Sequence, residues 1–145
     1  MDKPEKVTDI MTKRVIVLRE EDNLARLSEG MERYHLRHLP VTSDDRLVGL
    51  ITHRDLLRLT VSSLMADDPT EQDKQSKLFE NTFVAEVMTP DPMTVNPDTP
   101  IKEAAKKLVE TKYGCLPVVD EKQMLVGIVT EHDFINLLVD LLEED

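Results

Sequence analysis

An α+β fold made of two copies of one strand-helix-strand-strand-helix unit, packed sheet to sheet with pseudo-two-fold symmetry, is predicted by three features of this 145-residue sequence. The stretch "GLITHRD" at 49–55 returns as "GIVTEHD" at 127–133, with glycine, threonine and aspartate at identical internal spacing. Met11-Thr12 falls on Met88-Thr89 and Leu39-Pro40-Val41 on Leu116-Pro117-Val118 at an offset of 77, whereas Leu47-Val48-Gly49, Thr52 and Asp55 fall on Leu125-Val126-Gly127, Thr130 and Asp133 at 78. The patterning inside each copy switches between the helical period and the strand period at matching places, as an internal repeat requires.

The first repeat is expected over 7–65 and the second over 84–142. Each opens with a short strand, Val15 to Leu18 and Met93 to Val95. A helix follows, with apolar residues at helical spacing: Leu24, Leu27, Met31 and Tyr34 in one copy, and Ile101, Ala104, Ala105, Leu108 and Val109 in the other. Asp22 and Thr99 are candidate N-caps, and Pro100 sits where a first-turn proline is tolerated. Two β-rich runs come next, "HLPVT" with "LVGLIT" and "CLPVVD" with "LVGIVT", joined by polar turns as in hairpins. One residue inserted between "TSDDR" and "DEKQM" accounts for the step from 77 to 78, and turns tolerate insertions. Amphipathic helices close the copies at about 53 to 65 and 131 to 142. Residues 66–83 are polar without sustained periodicity and are expected to be a linker with a partly helical end. A segment of about 60 residues buries only about 60% of its unfolded surface, so the two halves should depend on each other and leave a cleft between them.

Composition limits the partners. Hydrophobic residues make up 40% and charged residues 32%, and no apolar run approaches the roughly 18 residues of a membrane span. The first residues, "MDKPEKVTDIMTKR", lack an apolar signal core, and the single cysteine, Cys115, has no internal disulfide partner, so a soluble protein of the reducing cytoplasm is expected. A formal charge of −11 repels polyanions, which argues against a nucleic acid polymer as partner. All eight arginines precede residue 60, and the second half uses only lysine.

The twin T-x-x-D is open to two readings. Ser/Thr-x-x-acid at a helix start is the pattern of a capping box, and Gly49 and Gly127 can simply relieve crowding in a strand. Its double occurrence, each time behind an "LPV" strand, points toward a paired site. The stretches "LSEGMERYHLRHLPVTSDDRLVGLITHRDLL" and "AAKKLVETKYGCLPVVDEKQMLVGIVTEHDF" resemble the tandem cystathionine-β-synthase (CBS) domain pair, or Bateman module, over about residues 7 to 142.

That resemblance implies a stand-alone, non-catalytic regulatory module that binds adenosine-containing ligands (AMP, ADP or ATP, with S-adenosylmethionine or NAD as further members) and needs no obligatory cofactor. It also implies a homodimer and an effector protein that reads the ligand state. By the same resemblance Asp55 and Asp133 accept from a ribose diol, and Thr52 and Thr130 contact ribose or phosphate. The adenine lies against Ile16, Val17 and Pro40, or Thr94, Val95 and Pro117, residues whose plain alternative is core. Basic residues two and three positions before the "LPV" proline grip phosphate in adenylate-binding relatives. Here these are Arg37 and His38 in the first copy but Gly114 and Cys115 in the second. His53 and Arg54 inside the first T-x-x-D, and His132 inside the second, complete the candidate set. The Asp55 pocket is therefore expected to be the better phosphate site, with the Asp133 pocket taking a less charged ligand or none.

The four histidines and Cys115 show no paired metal-ligand spacing, and nucleophile and phosphate-loop motifs are missing from the sequence. Nucleotide hydrolysis is thus the weakest reading. The main alternative is a constitutive interaction or dimerisation scaffold in which T-x-x-D only caps helices.

Overall fold

The computed structural model describes residues 3–64 and 77–144, and most of the expected linker, residues 66–76, lies outside that range. The order of elements is β1 (Leu18–Arg19), α1 (Leu24–Tyr34), β2 (His38–Ser43), β3 (Arg46–Thr52), α2 (His53–Leu64), β4 (Thr89–Pro90), α3 (Ile101–Glu110), β5 (Cys115–Val119), β6 (Leu125–Thr130) and α4 (Glu131–Glu143). Short 3-10 turns at Val7–Asp9 and Val84–Glu86 precede the first strand of each copy. The α+β fold of two repeats is therefore present. One sheet runs β1-β2-β3-β4 and the other pairs β5 with β6.

The chain forms two compact units that cut across the repeats. Unit 1 comprises Met1–Val15, Asp45–Leu47 and Pro92–Asp145, and unit 2 comprises Ile16–Asp44 and Val48–Asp91. The lead of the first repeat thus belongs with the body of the second, and the lead of the second with the body of the first. Equivalent backbone bonds fix both. In unit 2 the Val84 N–H donates to the Asp22 carbonyl at 2.7 Å and the Leu24 N–H to the Thr82 carbonyl at 3.0 Å. In unit 1 the Val7 N–H donates to Thr99 at 2.9 Å and the Ile101 N–H to Glu5 at 3.0 Å. Val84 is buried in the core of Leu18, Leu24, Leu27, Met31, Leu39, Val41 and Ile51, and Val7 in that of Val95, Ala104, Leu108, Leu116, Val118 and Val129.

The repeated Met-Thr and the repeated glycine meet in this exchange. Met88 lies over Gly49 so closely that a Cβ there would overlap its Sδ and stand 2.9 Å from its Cγ. In the other unit a Cβ on Gly127 would stand 2.7 Å from Met11 Sδ and 3.0 Å from the Thr12 carbonyl oxygen. The glycines are there because a second piece of chain crosses the strand at contact distance.

Three local expectations need correction. The opening strands are shorter than predicted: β1 starts at Leu18, opposite Val41, and its counterpart is a single parallel bridge from Val95 to Val118. In the second copy the Val95 N–H donates to the Pro117 carbonyl and the Val119 N–H to Val95. The next rung toward the N-terminus would need an N–H on Pro117, and in the first copy on Pro40, which proline lacks. The predicted helix caps are displaced by one residue. Asn23, not Asp22, caps α1 by accepting from the Arg26 N–H at 2.9 Å, because Asp22 accepts instead from the Arg19 N–H at 2.8 Å. Pro100 occupies the cap of α3, because the Thr99 hydroxyl is engaged by the Asn96 N–H at 3.0 Å. Tyr34 and Val109, finally, continue the apolar pattern of α1 and α3 but are exposed.

The hairpin turns explain the offset. Asp44 and Asp45 both take positive φ, 50° and 65°, as a two-residue turn requires, while β5–β6 turns through Asp120–Met124 with an irregularity at Val118/Val119.

Candidate functional site

Each T-x-x-D closes a strand and opens a helix. In unit 2 Asp55 Oδ2 accepts from the Thr52 N–H at 2.9 Å and from its hydroxyl at 3.1 Å, while Thr52 Oγ1 accepts from the Asp55 N–H at 3.3 Å. In unit 1 Asp133 Oδ2 accepts from the Thr130 N–H at 2.8 Å and from its hydroxyl at 3.3 Å, again as a capping box. The capping role is therefore real in both copies. In both it is carried by Oδ2 alone: among the described residues Oδ1 takes no hydrogen bond, and each aspartate remains partly exposed. A carboxylate held in this way retains an oxygen that can accept further donors.

A second backbone joint ties each helix start to the loop before the "LPV" strand. The His53 N–H donates to the Arg37 carbonyl at 2.8 Å, and the Glu131 N–H to the Gly114 carbonyl at 3.2 Å. Arg37, His53 and Arg54 are exposed at this joint in unit 2, with His38 half-buried. In unit 1 Gly114 takes φ 71°, a conformation that side chains rarely adopt, so the missing cation goes with the backbone path. Cys115 pairs with Thr130 and is fully buried. Desolvation, and the charge of Glu131 after it, push its thiol up to about 12, so it is neutral and inert at ordinary pH. Glu131 and His132 are exposed and Asp133 is half-buried.

The apolar candidates divide by exposure. Ile16 and Val17 are 39% and 38% exposed, in the stretch that the proline of β2 keeps out of the ladder. Pro40, Val95 and Pro117 are buried, and Val95 sits in its unit's core as the counterpart of Leu18. The counterparts of Ile16 and Val17 by position are Met93 and Thr94, and Met93 is exposed to the same 39%. The Met93 N–H donates to the Tyr113 hydroxyl at 3.0 Å, one residue from the Gly114 joint. The constant offset was the signal for Met93, whereas nothing in the sequence pattern marked Tyr113.

A hollow of ≈ 770 Å³ in unit 1 is lined by Thr94–Thr99, Glu103 and Lys107 of α3, and Val119–Lys122. It takes in Thr94 and Val95 but lies at the turn end of the β5–β6 hairpin, away from Thr130 and Asp133. No group of three or more histidine, cysteine or acidic residues able to hold a metal occurs among the described residues.

The CBS domain pattern matches residues 7–62 and again 84–140. The chain belongs to the CBS-domain family. A CBS domain-containing protein of Dictyostelium discoideum is 31% identical over 138 residues, covering 94% of this chain and 93% of that protein. The CBS-pair protein CBSX2 of Arabidopsis thaliana, solved in complex with AMP, superposes with a TM-score of 0.79 at 29% identity over 97% of this chain and 100% of that one. The CBS domain pair of protein MJ0100, solved with 5′-methylthioadenosine and S-adenosylmethionine, superposes with a TM-score of 0.76 at 26% identity over 95% and 99%. Homoserine O-acetyltransferase of Methanococcoides burtonii and inosine-5′-monophosphate dehydrogenase of Methanocaldococcus jannaschii match too, but the chain spans only 24% and 23% of their length. Structures in this family thus include CBS pairs with adenosine compounds bound. No helix among the described residues is long and apolar enough to cross a membrane.

Proposed function

We propose that this protein is a non-catalytic sensor in which the Thr52–Asp55 and Thr130–Asp133 elements each bind the ribose of an adenosine-containing ligand, with AMP, ADP and ATP as the first candidates and S-adenosylmethionine or NAD as others. The observation that carries the reading is the Oδ1 that takes no hydrogen bond among the described residues beside each capped Oδ2, because capping and diol binding then coexist on one carboxylate. Charge-assisted hydrogen bonds of this kind contribute roughly 1.5–3 kcal/mol each. The exposed apolar side chains of Ile16 and Val17, and of Met93 beside half-buried Thr94, kept out of the ladder by Pro40 and Pro117, supply a surface for the base. AMP bound to CBSX2, and 5′-methylthioadenosine with S-adenosylmethionine bound to MJ0100, support the ligand class. Homodimerisation and passage of the signal to an effector protein in the cytoplasm belong to the same proposal. Ile135, Leu138, Val139 and Leu142 recur on one face of α4 and are exposed, a surface suited to such contacts.

A thermal-shift panel of AMP, ADP, ATP, S-adenosylmethionine, NAD and adenosine tests the reading. A ligand at about 100 times its Kd stabilises by about 2.7 kcal/mol, so at least one compound should raise Tm by about 5–10 °C. The exposed face of α4 favours the scaffold as the second reading, and a panel with no shift would select it.

A further inference from the structure

The hollow in unit 1 opens where the two repeats cease to match. In unit 2 the chain stays on the sheet beyond Leu18: Arg19 stands opposite Thr42, and the Glu20 N–H donates to the Thr42 carbonyl at 3.3 Å. In unit 1 the counterpart of Glu20 is Pro97, which has no N–H to give. The N–H groups on either side are engaged locally, that of Asn96 donating to Thr99 Oγ1 at 3.0 Å and that of Asp98 to Asn96 Oδ1 at 2.9 Å. The loop after Val95 therefore leaves the sheet, and with α3 and the β5–β6 turn it borders a space of ≈ 770 Å³. Small-molecule sites occupy roughly 300–1,000 Å³. The space adjoins Val119, whereas Thr130 pairs with Cys115 at the other end of β5. Four strand steps of about 3.3 Å put roughly 13 Å between the two places.

The walls carry both signs of charge. Lys107 is half-buried on α3 with Glu103 one turn before it, and among the described residues neither side chain makes a hydrogen bond or ion pair. Unit 2 has Gly30 in place of Lys107, and in place of Glu103 it has Arg26, closed onto Asp22 at 3.7 Å. On the turn wall Asp120 Oδ1 accepts from the Lys122 and Met124 N–H groups at 2.8 and 3.0 Å, while its Oδ2 takes no hydrogen bond among the described residues. Exposed Glu121 adds a carboxylate beside it. No three acidic groups among the described residues are placed to hold a metal ion, so a bare cation does not fit. A partly desolvated ammonium without a partner calls for a carboxylate, and carboxylates on two walls call for ammonium or guanidinium donors. Acidic side chains outnumber basic ones in the lining even with Lys6 set against Asp98 at 3.4 Å, which favours a ligand of net positive charge and disfavours a nucleotide.

We propose that this hollow is a binding site for a free basic amino acid, separate from the T-x-x-D elements. Lys107 holds the carboxylate of the ligand, and Glu103, Asp120 and Glu121 hold its amino or guanidino groups. The site belongs to unit 1 alone and does not depend on the sensor reading.

Titration of the isotope-labelled full chain, followed by its amide NMR resonances, tests this with L-lysine, L-arginine, L-glutamate and cadaverine, the diamine left when L-lysine loses its carboxylate. L-Lysine or L-arginine at millimolar concentration should move the amides of 94–99, 103–107 and 119–122, and cadaverine should bind about tenfold more weakly than L-lysine, the loss of one charge-assisted hydrogen bond. Lys107→Gln should abolish that preference for L-lysine over cadaverine, and Lys107→Arg should keep it. Saturating AMP should leave the L-lysine shifts in place. The inference is overturned if neither basic amino acid moves these amides, if the shifts centre on Thr130 and Asp133 or are displaced by AMP, or if L-glutamate binds more tightly than L-lysine. Equal preference in the parent and Lys107→Gln would overturn it too.

Discussion

Adding one methyl group at Gly127 probes the exchange of leads directly. The new Cβ would lie 2.7 Å from Met11 Sδ and 3.0 Å from the Thr12 carbonyl oxygen. The methionine can turn away, but the carbonyl cannot easily follow: the Thr12 N–H donates to Ile128 at 2.9 Å and the Ile128 N–H to Thr12 at 3.0 Å. Overpacking of this kind costs about 1–3 kcal/mol, set against roughly 0.5–1 kcal/mol gained when alanine replaces glycine in a strand, so Gly127→Ala should lose about 1 kcal/mol net, within a span of roughly 0–2.5 kcal/mol. The three atoms nearest the new Cβ of Gly49→Ala all belong to the flexible Met88 side chain, so that variant should lose less. Urea unfolding followed by circular dichroism measures both, and pairing each with Met11→Ala or Met88→Ala gives a double-mutant cycle. Coupling should be strong between Gly49 and Met88, and should leave a residual loss in the Gly127 and Met11 pair because the Thr12 oxygen stays in place. Pairs additive within about 0.5 kcal/mol would refute the close packing of lead on strand.

Two predictions concern pH. The Cys115 thiol has an ordinary value of 9.0 and stands at about 12 in the folded protein, so the stability it contributes is intact below pH 9 and is lost as pH rises toward 12. The unaltered protein should therefore lose up to about 4 kcal/mol more than Cys115→Ala across that window, and should resist iodoacetamide at pH 8 until unfolded; parallel stability profiles would contradict the buried neutral thiol. Asp9 is lowered below 3.8 because its Oδ2 accepts from the Lys6 and Glu5 N–H groups at 3.0 Å each. Its contribution is present above that value and disappears as acid protonates it, so the urea midpoints of the parent and Asp9→Asn should differ at pH 6 and converge as the pH falls through the lowered value. A gap that persists in acid would show that the carboxylate charge is not what braces the turn.

The candidate site was legible in part. Thr52, Asp55, Thr130 and Asp133 could be paired from sequence because the repeat is local and nearly ungapped, and the structure adds that each carboxylate caps its helix through one oxygen only. The apolar wall was less legible. Pro40, Val95 and Pro117 share an apolar character with Ile16 and Val17, and burial, which separates them, is a property of the assembled unit. Asp22 and Thr99 were plausible caps by residue type, but each had a second backbone N–H within reach, and that competition is decided by turn geometry.

By itself the sequence determined the duplication, the helices and hairpins inside each copy, and the chemistry at each helix start, because all of these are written in spacings of a few residues. Only the tertiary structure decided which body each lead joins. Met11 facing Gly127 and Met88 facing Gly49 use the same residue types as the unexchanged pairing would. The choice depends on where the chain can reach once the cores have formed, which no local pattern records. The same holds for the ends of the opening strands: the prolines are visible in the sequence, but their missing N–H groups matter only because the neighbouring strand runs parallel and its next rung falls on them.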